Sequence, residues 1–440
     1  MAYGGGTFIA QNKVLPGTYI NFVSAKNSSA SLSDRGVAAI GITPGWGPSG
    51  DIFEVTNADF QKNCLTTFGS DYTADDLKGL RDLFMNARKA YCYRLDGGGV
   101  KASCTYATAK YTGTKGNSLK IVITANVDDD SKFDVATVYG TETVDTQVGV
   151  AAASDLTDNE WVDFIKTATL AATAGTALTG GTNVTVTGTQ HQAFLDKLEA
   201  YSINALGCNS NESTVKALYS NYCKRLRDEL GKKFQVVVQG YAGDYEGVVN
   251  VKNAVTDTGA SGHELVYWVT GLMAGTAVNA SAIGVQYNGE FTVNAAYTQS
   301  QLENAVNSGE FVLHKVPEDG KETIRVLKDI NSLVTTTDTK GIVFKQNQTI
   351  RVIDQIANDT AVIFNGSYIG KVPNDASGRE SLRGDIIALH NDLLELRAIE
   401  DFSDGDITIS KGDDAVSVVV NESITVVNAM EKLYMTVTVA

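Results

Sequence analysis

Residues 212–239 have the sequence ESTVKALYSNYCKRLRDELGKKFQVVVQ, in which a helical pattern gives way to a strand pattern. Apolar side chains recur at helical spacing over 212–230, and Phe234–Gln239 is a short run rich in valine. The alternation continues on both sides, with helices predicted at 190–205, 261–278 and 298–307 and strands at Phe311–His314 and Ile324–Leu327. This order predicts a mixed α/β domain over residues 188–344, with helices packed on a parallel or mixed sheet.

The residues before this domain divide into two parts of different composition. Residues 26–99 predict the first part of the α/β core, with a helix that begins near Thr73 and Asp76 and a strand at Tyr91–Leu95. The triple glycine at 97–99 then predicts a linker. Residues 100–187 are rich in threonine, alanine and valine and predict a β-rich, sandwich-like insertion. One helix is predicted inside it, beginning at the capping pattern 157–160 and carrying Trp161.

The last part of the chain predicts an α+β domain between two extended ends. Residues 345–430 carry two amphipathic helices, the second beginning at Ser377, and strands at Asp406–Ser410 and Val416–Val420. Residues 1–25 predict an N-terminal arm of two extended pieces, and 431–440 predict a C-terminal arm strand with strict alternation. The arm residues predicted to contact other subunits are Phe8, Ile9, Tyr19, Ile20, Phe22, Leu433, Tyr434, Met435, Val437 and Val439.

Composition narrows the classes of function. The 440 residues carry 51 acidic and 36 basic side chains, a formal net charge of −15, which disfavours nucleic-acid and anionic membrane partners. The five cysteines lack metal-ligand spacing, so we expect reduced thiols and neither a disulfide framework nor a zinc site. The first ten residues do not have the pattern of a secretory signal, and no stretch is apolar for the ~20 residues of a membrane span. We therefore expect synthesis and folding in the cytoplasm.

The sequence lacks a recognisable motif for catalysis, cofactor binding or metal binding. His263 lies in a Ser-Gly-His-Glu pattern that predicts a helix cap more readily than a catalytic histidine. The glycine-rich residues 113–120 lack the spacing of a phosphate-binding loop. Aspartates at 128–130 and at 404 and 406 lack a full set of calcium ligands. The sequence thus predicts no catalytic, cofactor-binding or metal-binding residues and a protein that is not an enzyme.

The two ends suggest how such a protein works. A terminal strand leaves main-chain donors and acceptors unpaired, so it must pair within its own domain or with the sheet edge of another molecule. Strand-like segments at both ends, one preceded by three glycines, favour the second possibility. Head-to-tail exchange of this kind can propagate as a helix.

Several segments together have a recognisable pattern: in chain order they are Tyr3–Phe22, Tyr111–Asn117, Trp268–Gly275 with Val278 and Asn279, Asp329–Leu333, and Arg351–Asp354 through Ile369–Asn374. These segments resemble contractile tail sheath proteins of phages and phage-like elements of Gram-positive bacteria, such as R-type bacteriocins and defective prophage tails. The resemblance covers nearly the whole chain, whereas residues 120–187 match only in general character.

The resemblance implies a subunit of stacked rings wound helically around an inner tail tube. Terminal arms would donate strands to neighbouring subunits, the C-terminal domain would face the tube, and the insertion would face outward. Its other partners would be baseplate and tail terminator proteins. A baseplate signal would trigger contraction and drive the tube through the target envelope. The particle would be a virion or phage-tail-like particle assembled in the host bacterial cytoplasm. The resemblance also implies a subtilisin-like topology for the central domain, non-catalytic here because no Ser-His-Asp set is found.

Other functions remain open on the residues alone. A tail tube or other virion lattice protein is possible, although the length and the α/β centre fit it less well. A cytosolic hydrolase with scattered catalytic residues is the alternative from a different class. A surface-layer module is disfavoured by the expected lack of a signal sequence.

Overall fold

The computed structural model describes residues 32–318 and 321–439, which form two compact units. The main unit contains Asp34–Asn358 and residues 426–439, and the smaller unit contains Asp359–Thr425 with residues 32 and 33. The predicted N-terminal arm, residues 1–25, lies outside the described residues.

A seven-stranded sheet is the centre of the main unit. Its strands in spatial order are Glu310–Phe311, Val248–Val251, Gln235–Gln239, Ala205–Gly207, Val37–Ile42, Lys89–Arg94 and Ile52–Thr56. All neighbours are parallel except Ile52–Thr56, which runs antiparallel to Lys89–Arg94. The mixed sheet predicted from the helix–strand alternation is therefore confirmed.

Both faces of this sheet are buried, so its inner strands are apolar on both sides. Ala38, Ile40 and Ile42 pack into one core, and Val37 and Ala39 pack into the other. The first core lies under the helices Asn57–Phe68, Lys78–Phe84 and Leu265–Gly275, and the second lies under Gly188–Leu198 and Ser213–Asp228. Alternate residues of each strand face different cores and both sets must be apolar. The strands therefore appear in the sequence as nearly continuous apolar runs.

Leu265–Gly275 is buried on all sides apart from its last glycine, and Gly271 lets it pack closely on the helix Lys78–Phe84. A Cβ atom at Gly271 would lie 2.2 Å from the carbonyl oxygen of Leu83, so no larger residue fits there. The helix begins at Leu265 without a side-chain cap, so the predicted role of the residues around His263 as a capping box is wrong. Thr73 is likewise no cap, because a 3-10 turn at Asp75–Leu77 precedes the helix Lys78–Phe84.

The β-rich insertion forms two sheets that enclose a third core. One sheet has the order Thr173–Ala177, Leu119–Ala125, Phe133–Tyr139 and Glu142–Val150, and the other has Lys101–Ser103, Ala107–Thr112 and Val162–Phe164. Trp46, from the loop after strand Val37–Ile42, is fully buried in this core and stacks on Trp161 with 5.5 Å between ring centroids.

The glycines at 97–99 close the base of the insertion instead of acting as a free linker. Val100 and Thr182 exchange two main-chain hydrogen bonds of 3.1 Å, which hold together the segments that enter and leave the insertion. A Cβ atom at Gly99 would lie 1.7 Å from the carbonyl oxygen of Thr182. Glycine is needed there because the two backbones touch.

The helix predicted at the start of residues 157–165 is wrong. The Asn159 side chain accepts hydrogen bonds from the main-chain N–H groups of Trp161 and Val162, and Asp158 accepts one from Phe164. These bonds satisfy the main chain in a turn, which competes with a helix, and the strand Val162–Phe164 follows. The turn also directs Trp161 into the sandwich core.

Beyond the central sheet and the insertion, the described part of the main unit contains two further helices and an antiparallel pair of strands. The helix Gln299–Asn307 precedes the short edge strand, and Leu313–Glu318 pairs antiparallel with Lys321–Val326. The helix Asn347–Ile363, called the long helix below, is in the main unit up to Asn358.

The smaller unit is built around the helix Ala376–Glu395. Asp375 caps this helix by accepting a 2.8 Å hydrogen bond from the Gly378 N–H, so the helix begins earlier than the predicted Ser377. A π-helical turn, Phe364–Tyr368, precedes it, and the strands that follow are Ile399–Glu400, Ile407–Lys411 and Val418–Glu422, with Thr425–Val426 beginning at the last residue of the unit. Tyr368, Leu382, Ile386 and Ile407 form its buried core.

Candidate subunit interface

The C-terminal segment, residues 432–439, carries a run of exposed apolar side chains. Leu433, Met435, Val437 and Val439 are 86%, 74%, 69% and 89% exposed, and Tyr434 is 87% exposed. The alternation that predicts a strand is present, yet these residues join no ladder within one chain. They also make no hydrogen bond or ion pair to any described residue. An apolar strand pattern left in water is typical of an interaction segment.

The other five predicted interface residues, Phe8, Ile9, Tyr19, Ile20 and Phe22, lie outside the described residues. Their role therefore stays a prediction, and the geometry below concerns the C-terminal segment and the surfaces that could receive it.

The root of the C-terminal segment is fixed to the main unit. Gln348 contacts the main chain at Val427 and Ala429, and Asn428 lies 3.2 Å from the Thr349 hydroxyl. Glu431 forms a 3.2 Å ion pair with Lys328. Because these contacts end at Glu431, the segment departs from the subunit there, with a reach of roughly 26 Å if fully extended at about 3.3 Å per residue.

A two-stranded sheet in the smaller unit can receive such a segment. We call it the C-terminal hairpin: Ile407–Lys411 paired antiparallel with Val418–Glu422. Neither strand has a second strand partner among the described residues, so both edges of the hairpin are open with respect to strand pairing. Ile407, Ile409, Val418 and Val420 face the core beneath helix Ala376–Glu395. A strand added at either edge would extend that apolar layer.

An apolar cavity lies beside the turn of the C-terminal hairpin. Its volume is about 440 Å³, and Tyr368, Ile369, Val372 and Val416 are among its lining residues. Val416 is 85% exposed. Exposed apolar side chains next to an open sheet edge are the combination that β-strand addition uses.

His191 and Asp82 are two buried groups with perturbed pKa values. Burial lowers the pKa of His191 to about 4, and its Nδ1 atom is 2.9 Å from the Tyr219 hydroxyl. Asp82 is fully buried and accepts hydrogen bonds from the Tyr287 hydroxyl, at 2.6 Å, and the Glu290 N–H, at 2.7 Å. Each group has a structural partner, and the two belong to different cores.

Among the described residues, no group of three or more His, Cys, Asp or Glu side chains could hold a metal ion. None of the helices found there has the length and apolar character that a membrane crossing requires.

Asp82→Asn is expected to stabilise the subunit at neutral pH. Burial raises the pKa of Asp82 to about 6, so its contribution to stability is present near pH 4 and is lost as pH rises through 6. Asparagine can accept from the Glu290 N–H and donate to the Tyr287 oxygen without carrying charge. The free energy of unfolding at pH 7 should rise by about 2 kcal/mol.

Urea unfolding of the parent and the variant between pH 4 and 8 measures this effect. The gain should shrink towards pH 4, where the Asp82 carboxyl is already neutral. Asp75→Asn, at an exposed position nearby, is the control and should change stability by less than about 0.5 kcal/mol. A gain that does not depend on pH would contradict the assignment.

The comparisons with known proteins agree from end to end of the chain. Family models match for the phage tail sheath protein beta-sandwich domain at residues 97–183, the phage tail sheath protein central domain at 185–332 and the phage tail sheath C-terminal domain at 339–440. Phage-like element PBSX protein XkdK of Bacillus subtilis is 33% identical over 471 residues, covering 99% of each chain. The chain belongs to the phage tail sheath protein family.

Solved structures of tail sheath proteins share this fold. The sheath tail protein of Desulfitobacterium hafniense matches with a TM-score of 0.79 and 31% identity, over 93% of this chain and 100% of that one. The helical sheath of the anti-feeding prophage in its contracted state matches over 97% of this chain and 99% of that one. Its TM-score is 0.58 and its identity is 13%, so it supports the fold alone. Family and neighbours together indicate a structural rather than a catalytic protein.

Two segments that carry the family resemblance meet inside the main unit of this sheath protein. Arg351 forms a fully buried ion pair with Asp329, and Asp354 forms one with Arg227, at 2.5 Å. The sequence does not reveal these pairs, because partners as distant as 127 positions leave no local pattern. Gln348 was missed for the same reason.

Proposed function

We propose that this sheath protein polymerises into a helical sleeve around an inner tail tube, and that strand exchange links each subunit to its neighbours. The observation that carries the proposal is the C-terminal segment, which is apolar, alternating and exposed within one chain. The C-terminal hairpin of another subunit, with two open edges, is the acceptor that fits it.

Strand addition is energetically adequate for this role. About six main-chain hydrogen bonds at ~1 kcal/mol each would stabilise one junction by several kcal/mol. Burying the side chains of Leu433, Met435 and Val437 against the apolar face beneath the hairpin adds to this. Because donor and acceptor surfaces differ, the contact is head-to-tail and can propagate as a helix.

Contraction follows if the extended sleeve is a kinetically trapped state of higher free energy. A baseplate signal would release it, and subunits would turn as rigid bodies into denser packing while the exchanged strands hold. The tube would then be driven through the envelope of the target cell. No nucleotide is required, and the protein is not an enzyme.

The remaining assignments belong to the same proposal. The α+β domain at 345–430 faces the tube, the insertion at 100–187 faces outward, and the central domain has a non-catalytic, subtilisin-like topology. The arms at 1–25 and 431–440 link the subunits, and the first part of the α/β core, 26–99, joins the domain at 188–344. The other partners are baseplate and tail terminator proteins. The particle, a virion or phage-tail-like tail, assembles in the bacterial cytoplasm.

Removal of residues 433–440 tests the proposal. We expect a folded, monomeric subunit with unchanged circular dichroism that forms no long polymers in electron micrographs. Removal of Ala440 alone is the control and should leave polymers of normal length. Sheaths of normal length formed by the subunit without residues 433–440 would contradict the strand-exchange proposal.

A further inference from the structure

Gln348, in the first turn of the long helix, contacts the root of the C-terminal segment as a neighbouring strand would. Its Nε2 atom donates to the Val427 carbonyl at 3.1 Å, and its Oε1 atom accepts from the Ala429 N–H at 3.0 Å. In a parallel sheet, one residue makes this pair of bonds to the two residues that flank its partner. The Gln348 side chain thus replaces one residue of a parallel strand, centred on Asn428.

The orientation of the amide follows from its three partners. The second N–H of Nε2 donates to the Asn279 carbonyl at 3.2 Å. The Nε2 atom of Gln348 must lie next to the two carbonyl groups, and its Oε1 atom must lie next to the N–H group. An amide flipped by about 180° would lose all three bonds. Gln348 is 4% exposed, so its amide group is largely shielded from bulk water.

The contacts around this clamp divide the end of the chain into a fixed part and a departing part. Asn428 contacts the Thr349 hydroxyl, and Glu431 pairs with Lys328, each of the latter two side chains being 24% exposed. From Lys432 onward no bond to a described residue remains. The geometry sets the departure point directly after Glu431.

We propose that Gln348 is the positioning residue of the C-terminal arm. It holds residues 427–429 against the long helix and thereby fixes where, and in which direction, residues 432–439 leave the subunit. This inference rests on the proposed function, in which those residues pair with another subunit. A fixed root lowers the number of directions that the arm samples, so less entropy is lost when it docks.

Amide hydrogen exchange on the purified full-length subunit tests the anchor directly. The Ala429 side of the clamp has one acceptor, Gln348 Oε1, so Gln348→Ala should speed exchange of the Ala429 amide about tenfold or more. Gln346→Ala, two positions earlier, is the control, because no hydrogen bond of its side chain is found in the described chain. Gln348→Glu keeps an acceptor and should retain part of the protection.

Amides of the central sheet, such as Val237, report whether a variant only loosens the whole fold. Unchanged Ala429 exchange in Gln348→Ala would overturn the anchor, and so would an equal rise at Ala429 and Val237. A rise confined to residues 427–431 supports it.

Polymerisation separates the positioning role from the proposed function. Gln348→Ala should raise the protein concentration needed for sheath formation about tenfold, and Gln346→Ala should not change it. If the Ala429 amide is released but assembly is unchanged, the positioning role is wrong. The strand-exchange proposal fails by a different result, normal polymers from the subunit without residues 433–440.

Discussion

Val437→Asp is expected to abolish sheath polymers while the subunit stays folded. Val437 is 69% exposed in one chain, so the substitution does not disturb a core there. In the proposed sheet it shares a face with Met435 and Val439, towards the apolar layer beneath the acceptor hairpin. An unpaired carboxylate buried on that face would cost about 3 kcal/mol or more, a weakening of each junction of more than a hundredfold.

The matched control places the same charge on the opposite face. Thr436→Asp changes net charge equally, but its side chain would point away from that layer, so polymers should form with a modest rise in critical concentration. Electron microscopy and sedimentation velocity of the two variants measure the difference. Equal behaviour of Val437→Asp and Thr436→Asp would contradict a strand that is buried on one face only.

The central sheet was accessible from sequence because its signal is local and repeated. The run at 235–239 and the helix before it each carry their own period, and the observed helix Ser213–Asp228 and strand Gln235–Gln239 lie within the predicted limits. The short strand Ala205–Gly207 was not predicted, since three residues give no period and the predicted helix 190–205 reached it.

The failures arose where side chains compete with the main chain or where distant backbones meet. Residues 157–160 have the composition of a helix start, yet Asn159 and Asp158 bind main-chain N–H groups in a turn. The glycines at 97–99 have the composition of a linker, yet Gly99 is required by its contact with Thr182. Composition identifies residues that interrupt helices and strands, but it does not tell whether they form a linker, a turn or a close backbone contact.

The same distinction applies to the interface. The alternation of apolar and polar residues alone predicts that Leu433–Val439 is a strand that needs a second strand to pair with. The exposure of these side chains agrees with a partner outside the chain. Nothing in the sequence connects Gln348 with Ala429, 81 positions away, because the two meet only after the main unit has folded. Anchors of an arm are therefore visible in the structure alone.

Asp354→Ala is expected to destabilise the main unit by about 3–5 kcal/mol, a large part of the stability of a typical domain. Asp354 accepts two hydrogen bonds from the Arg227 guanidinium, at 2.5 and 2.7 Å. Arg227 is 3% exposed. Its burial disfavours the charged form, and Asp354 more than offsets that effect, so the pKa of Arg227 is raised. Without the carboxylate, a charged guanidinium would remain buried and unpaired.

The measurement is urea unfolding at pH 7 in the background that lacks residues 433–440, so that polymerisation does not contribute. A matched control is available in the helix that carries Arg227. In this helix Arg225 pairs with Glu199 at 2.6 Å, but the two side chains are 44% and 39% exposed. Glu199→Ala should cost less than about 1 kcal/mol, because water replaces the lost partner.

A second variant separates the cost of a stranded charge from the worth of the pair. Replacing both partners, Arg227→Met with Asp354→Leu, should recover most of the stability lost in Asp354→Ala, because desolvation of two charges largely cancels their attraction. If the double variant is as unstable as the single one, the pair itself stabilises the fold through its hydrogen bonds. If the double variant recovers stability, the ion pair serves to specify one arrangement of the fold and not to stabilise it. The pair would then set the axial position of the long helix, and with it the position of Gln348 beneath the C-terminal arm.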